Sequence, residues 1–270
     1  MLASGSGHLG LMVLSDVRKN VRVVATLPGS LPMGGQVAHT PIYGFMQTPL
    51  DLDFVPRNLG TYRDEINCDG ALAFVIRNVL TGDEANAIVS ASEQLGFSDA
   101  APGIVTPPGM RVNKTVHWVA DSKMLGEIFR RISPHLPAVV DGHFLADRLS
   151  HRLNIYKYDY QDVFNRHIDG DWPGYGLSPD RTVMVQWEGL HSCLSMLLYL
   201  NGEADGVSGG KTRLLGRQGA MVDVSPRKGD ALFFRHGFGP DSVPHEGRRV
   251  LGPVAKYVAR INVLYRFEDC

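Results

Sequence analysis

An α+β fold with a jelly-roll core is predicted, on three observations. Two stretches with helical spacing, 81–96 and 121–134, come in the first half of the chain. From Leu153 onward, short β-like runs follow one another, separated by Gly, Pro, Asn and Asp. No helical stretch lies between those runs, and parallel β-α-β units would require one. Helices first and strands afterwards therefore point to N-terminal helices bracing a β-sandwich or jelly roll.

The chain opens with Gly- and Pro-rich pieces such as "LPGSLPMGGQ" around a short strand at Val21–Leu27, read as an N-terminal extension over residues 1–55. The domain proper is assigned to residues 56–270. Its first strong signal is "GALAFVIRNVL" (70–80), whose apolar and β-branched content suits a strand. Next, Thr81 can cap a helix, with Glu84 three residues on completing a capping box. Ala85, Ile88, Val89 and Leu95 recur at helical spacing, and Gly96 supplies a stop. A second helix starts at Asp121 and carries Met124, Leu125, Ile128, Phe129 and Ile132 on one face before Pro134 ends it. The later strands are "LNIYKY", "CLSMLLYL", "GAMVDV", "DALFFRH" and "YVARINVLYRF". Between them, "GDWPGYGLSPDRTVMVQWEGLHS" (170–192) reads as a lid, in which Trp172, Tyr175, Arg181 and Trp187 either pack the loop or face a substrate.

With 270 residues, 44% of them hydrophobic, the chain can bury a sizeable core in one large domain or two small ones. Its 27 Lys and Arg nearly balance 28 Asp and Glu, leaving no broad field to hold nucleic acid or anionic lipid, and neither is expected as a partner. Cys68, Cys193 and Cys270 are scattered, odd in number and without CxxC spacing, so neither a disulfide framework nor a zinc knuckle is indicated. A reducing, cytoplasmic setting is the default. No apolar run approaches the ~18 residues of a membrane span. "HLGLMVL" lacks a basic region before it and makes a poor secretory signal, while Arg18, Lys19 and Arg22 leave organelle targeting open.

The chemistry begins at "FNRHIDGDWPG" (164–174), where His167 and Asp169 sit one residue apart. On an extended chain, residues i and i+2 project from the same face, so both side chains can reach one ion. A third ligand is available in His245 of "SVPHEGRRV", with His236 at the end of "DALFFRH" as its competitor. Two imidazoles and one carboxylate form the facial set of non-haem Fe(II) oxygenases, which leaves coordination positions open. Zinc usually takes a closed tetrahedral set. Such iron enzymes draw electrons from a chelating 2-oxo acid, whose distal carboxylate needs a buried cation. Lys256 lies eleven residues after His245 and shares a strand face with Val258 and Arg260. Lys256 is the candidate anchor and Arg260 its rival.

These residues resemble the Fe(II)/2-oxoglutarate-dependent dioxygenases of the prolyl 4-hydroxylase type. The resemblance runs from about Ala71 to Arg266. It rests on "YKYDYQDVFNRHIDG", "SMLLYLN", "GGKTRLL", "VSPRKGDALFF" and "PHEGRRVLGPVAKYVARINVLYR", in that order. It implies a double-stranded β-helix, with His167, Asp169 and His245 as iron ligands and Lys256 as partner of the 2-oxoglutarate C5 carboxylate. Tyr158 and Tyr199 match family tyrosines of the co-substrate pocket. Where relatives carry a Pro-Gly turn and a further tyrosine, this chain has Asp159, Tyr160, Gln161, Asp162 and Phe164, which alters the local pocket shape.

The resemblance further implies Fe(II), 2-oxoglutarate and dioxygen as cofactor and co-substrates, with ascorbate as an added reductant. The implied reaction is hydroxylation of an unactivated carbon with loss of succinate and carbon dioxide. Halogenating relatives vacate the carboxylate position, so Asp169 favours hydroxylation. The substrate would be a prolyl or other peptide residue, a free amino acid or a small metabolite. Two other readings compete: a cupin-like metal-dependent isomerase or hydrolase without 2-oxoglutarate turnover, and a β-sandwich binding module in which the His and Asp are incidental.

Overall fold

The computed structural model describes residues 19–30, 36–99 and 109–267. In chain order its elements are β1 (Val21–Ser30), β2 (Gln36–Phe45), β3 (Tyr62–Glu65), β4 (Ala73–Arg77), α1 (Gly82–Leu95), β5 (Lys114–Val119) and α2 (Ser122–Ile132). There follow β6 (Val139–Val140), β7 (His143–Leu149), β8 (Arg152–Tyr158), β9 (Phe164–His167), β10 (Pro173–Leu177) and β11 (Met184–Tyr199). The last are β12 (Thr212–Leu215), β13 (Met221–Val224), β14 (Ala231–Arg235), β15 (His245–Gly247) and β16 (Lys256–Arg266). A large sheet runs β1-β2-β5-β8-β16-β11-β14-β4-β3, with β10 on β11 and β7 on β16. A small sheet runs β13-β12-β15-β9 and covers part of the large one. Leu214 and Val224 of the small sheet pack with Leu197, Leu232, Phe234 and Val258 of the large one, closing a jelly roll.

The two helices form as their termini dictate. The Thr81 hydroxyl accepts from the Glu84 amide at 3.2 Å, and the Glu84 carboxylate accepts from the Thr81 amide at 2.9 Å. Gly96, at φ 88°, ends α1. The Asp121 side chain caps α2 through the Lys123 amide at 2.8 Å. Ile88, Met124, Leu125, Ile128 and Ile132 then pack on the outer face of the large sheet, against Trp118, Ile155, Met196, Phe233 and Ile261. Buried Arg131 ties the helices together, with both guanidinium Nη atoms on Glu84 at 2.7 and 2.8 Å and Nε on Glu127 at 2.8 Å.

Two expectations need correction. The protein is mostly β, and helices do not form its described N-terminal part: residues 21–30 and 36–45 are a hairpin that extends the large sheet through a parallel pairing of β2 with β5. Strands such as β5 and the second half of β11 are buried on both faces, which removes the alternation that marks a strand in sequence. The stretch read as a lid is largely a second hairpin, β10 on the first half of β11. Gly174 and Gly176 there are strand residues whose missing Cβ atoms leave room for the Trp187 ring. Among the described residues, no helix is long and apolar enough to cross a membrane.

Candidate metal centre

Strand pairing brings the predicted ligands together. β15 runs antiparallel to β9 with His245 directly opposite His167, so two imidazoles 78 positions apart in sequence face one another with ring centroids 4.2 Å apart. Asp169 follows β9 by two residues. Its Oδ1 lies 3.7 Å from His167 Nε2 and its Oδ2 3.7 Å from His245 Nε2. All three donor atoms fall within 4.8 Å of one another.

Hydrogen bonds fix which nitrogens face the centre. His167 Nδ1 donates to the Asn165 carbonyl at 2.8 Å and His245 Nδ1 to the Val243 carbonyl at 3.3 Å. Each Nε2 is left with its lone pair toward Asp169. Burial, with the neighbouring His245, holds the His167 imidazole at about pKa 3, and burial likewise lowers His245. Burial alone would raise the Asp169 carboxyl, but Arg260, with the Ser195 hydroxyl, outweighs it and keeps the group ionised well below the usual carboxylate range. Two neutral imidazole nitrogens and one carboxylate, converging without protons on them, fit a divalent transition metal.

Residues outside the predicted set hold Asp169 in place. The Ser195 hydroxyl donates to Oδ2 at 2.6 Å and receives a bond from His236 Nδ1 at 2.9 Å, while His236 Nε2 accepts from Ser192 Oγ at 2.9 Å. His236, the competing third ligand, thus stands behind the carboxylate, orienting it through Ser195. Arg260 Nε is 3.0 Å from Oδ2 in an ion pair whose N–H is not aimed at the oxygen. No signal within any short stretch marks Ser195 or Arg260 for this role; only the register of β11 and β16 does.

The pocket runs from the triad along the face of β16 to Lys256. Lys256 is 2% exposed, its Nζ donates to the Gly210 carbonyl at 2.6 Å, and it lies over the rings of Tyr158 and Tyr199 at 5.2 and 5.6 Å. It meets no carboxylate among the described residues, and burial lowers its pKa to about 7. Of the two candidate anchors on β16, Arg260 is paired with Asp169, and Lys256 meets no carboxylate among the described residues. Gly210, at φ 63°, lets the carbonyl-bearing turn close on the lysine: a Cβ there would stand 3.0 Å from Lys256 Cδ. Tyr158 pairs with Lys256 across β8 and β16, and the Tyr199 hydroxyl donates to Thr212 Oγ1 at 2.9 Å. Of the stretch 170–192, Arg181 is bound to Asp121 at 2.6 Å and Trp187 packs within the hairpin.

No family model and no curated protein matches the chain. Solved structures do. The viral collagen prolyl hydroxylase of Paramecium Bursaria Chlorella virus-1 in complex with 2-oxoglutarate matches at 15% identity, over 75% of this chain and 99% of that one, with a TM-score of 0.49. A Pseudomonas putida prolyl-4-hydroxylase matches at 16% identity, over 75% and 96%, with a TM-score of 0.48. A Trichoplax adhaerens prolyl hydroxylase, in complex with a peptide fragment of the hypoxia inducible factor oxygen degradation domain, matches at 19% identity, over 73% and 84%, with a TM-score of 0.50. On this last likeness, the chain has the fold of a prolyl hydroxylase.

Proposed function

We propose that this protein is an Fe(II)/2-oxoglutarate-dependent dioxygenase that hydroxylates an unactivated carbon, with residues 56–270 as its catalytic domain and 1–55 as an extension. The observation that carries the reading is the pairing, in one pocket, of the three-donor cluster with a buried lysine that has no counter-ion among the described residues. A structural metal site would account for the first and not for the second. His167, Asp169 and His245 would hold the iron, and Lys256 the C5 carboxylate of 2-oxoglutarate, with Tyr158 and Tyr199 walling its site. When bound, iron and co-substrate would supply the oxidation: one atom of dioxygen enters succinate as carbon dioxide leaves, and the other becomes the hydroxyl of the product.

The chain's own contribution is positioning. Ser195 and His236 orient Asp169, Arg260 moderates its charge, and Phe164, stacked on His167 at 3.6 Å, shields the imidazole from water. Ascorbate is the reductant expected to sustain turnover. Succinate release from 2-oxoglutarate in the presence of Fe(II) and dioxygen tests the reading. Wild-type protein should release succinate and Asp169→Ala should not. Protein that retains zinc and releases none would instead be a cupin-like isomerase or hydrolase.

A further inference from the structure

Six buried side-chain polar atoms lack a hydrogen-bond partner among the described residues; His117 Nε2, Arg152 Nε, Arg260 Nε and Asn262 Oδ1 belong to one face of the large sheet beside the metal centre, and Arg111 Nη2 comes from a neighbouring loop over Tyr156 of that face. Folded proteins rarely leave such groups unmade, because each costs free energy comparable to a lost hydrogen bond. Their clustering is a matter of register. His117 pairs with Asn154 across β5 and β8, and Asn154 with Arg260 across β8 and β16, forming one row. One step nearer the rim, Arg152 precedes Asn154 by two residues and Asn262 follows Arg260 by two, so they are neighbours on the same face. Arg111 lies over the rings of Tyr156 and Phe164, both at 4.8 Å, and Arg152 over Trp172 and Tyr175 at 5.5 and 5.9 Å.

The charges do not balance. Arg260 faces Asp169, but neither Arg111 nor Arg152 meets a carboxylate among the described residues. The orphaned atoms are also of two kinds. Arg111 and Arg152 present donors. His117 Nδ1 donates to Asn154 Oδ1 at 2.7 Å, which leaves Nε2 as an acceptor, and Asn262 Oδ1 is an acceptor too. His117 is neutral, held at about pKa 3 by burial and by the Arg152, Arg111 and Arg260 guanidiniums. The face therefore offers two cations for an anion and two acceptors for a donor, with aromatic walls between. Lys256 and Asn262 lie six residues apart on one strand face, about 20 Å. Arg152 and Asn262 thus lie on the far side of Arg260 from the co-substrate end, while Arg111, over Tyr156 opposite Val258, stands between the two ends.

We infer that this face binds the substrate, and that the substrate is a free α-amino acid whose carboxylate is taken by Arg152 and Arg111 and whose ammonium is taken by His117 and Asn262. An internal residue of a peptide has neither charge and would leave both guanidiniums unpaired. The inference rests on the hydroxylase reading and narrows its substrate.

The test is a panel of the twenty common L-amino acids, each with its carboxamide and N-acetyl form, together with a proline-rich peptide, scored by stimulated succinate release. At least one free amino acid should stimulate release, with its carboxamide and N-acetyl forms at least 100-fold weaker. Arg152→Gln should raise its KM at least 50-fold. Equal stimulation by the carboxamides, stimulation by the peptide alone, or no stimulation by any free amino acid overturns the proposal. A ligand-free measurement stands beside it: Arg152→Met should melt above wild type, since it removes a half-buried charge that meets no carboxylate among the described residues. A lower melting temperature means that the charge is structural and sinks the idea. The iron and 2-oxoglutarate absorption band separates the two levels: without it the hydroxylase reading fails, and with it a negative panel rejects this substrate class alone.

Discussion

Lys256→Met should stabilise the ligand-free protein and abolish its hold on 2-oxoglutarate. Burial lowers the pKa of this ammonium from 10.5 to about 7. At about 1.4 kcal/mol per pH unit, keeping the charge inside the fold costs on the order of 5 kcal/mol below pH 7. Methionine fills a similar volume without the charge. It leaves the Gly210 carbonyl, which accepts from Nζ at 2.6 Å, without its partner. That loss costs about 1–3 kcal/mol, so a net gain of roughly 2–4 kcal/mol remains, or about 4–16 °C in melting temperature. The pH dependence has a definite sign. Between about pH 7 and 10.5 the folded chain binds fewer protons than the unfolded one, so the lysine's destabilisation is full below pH 7 and fades as pH rises toward 10.5. The gap between variant and wild type should narrow over the same window. Calorimetry at about pH 6.5 and pH 9.5, with 2-oxoglutarate titrated into anaerobic Fe(II)-loaded protein, checks both halves. A variant that melts below wild type at the lower pH, or that binds 2-oxoglutarate unchanged, refutes the reasoning.

Three further outcomes follow from the same contacts. Because a bound dianion favours protonated Lys256, which titrates at about 7 in the free protein, 2-oxoglutarate affinity in wild type should fall by up to about tenfold per pH unit above neutrality, as read by isothermal titration. Ser195→Ala removes the 2.6 Å bond that orients Asp169 and should weaken Fe(II) binding by about 10–100-fold in a competition with a chelator, with little change in the circular dichroism spectrum. Arg131→Met leaves buried Glu84 and Glu127 without their shared cation and should cost about 3–5 kcal/mol in denaturant unfolding, without altering metal affinity in the folded protein.

What the sequence disclosed divides along a physical line. Both helices were legible because their signals are local: Thr81 with Glu84, Asp121, Gly96 and the spacing of Ile88, Leu125 and Ile128 all act within a few turns. His167 and Asp169 were legible because a two-residue spacing on an extended chain fixes a shared side, and His245 because it follows a strand. The groups behind and beside them were not. Ser195, His236 and Arg152 owe their positions to strand pairings between distant segments, such as β8 with β16 and β11 with β14, and Arg111 to an isolated bridge with Phe164, none of which a short window contains. The hairpin of β10 was hidden for a different reason. Its glycines, which read as loop punctuation, are there to admit the Trp187 ring.

The proposed activity requires His167, Asp169 and His245 to hold one ferrous ion with room beside it for a chelating acid. Anaerobic absorption spectroscopy measures this directly, since 2-oxoglutarate bound to Fe(II) gives a weak visible metal-to-ligand band. Adding Fe(II) and 2-oxoglutarate to the wild-type protein should produce that band, saturating at one iron per chain, and the Asp169→Ala protein should show none. A wild-type protein without the band, or a band that survives the loss of Asp169, contradicts the account.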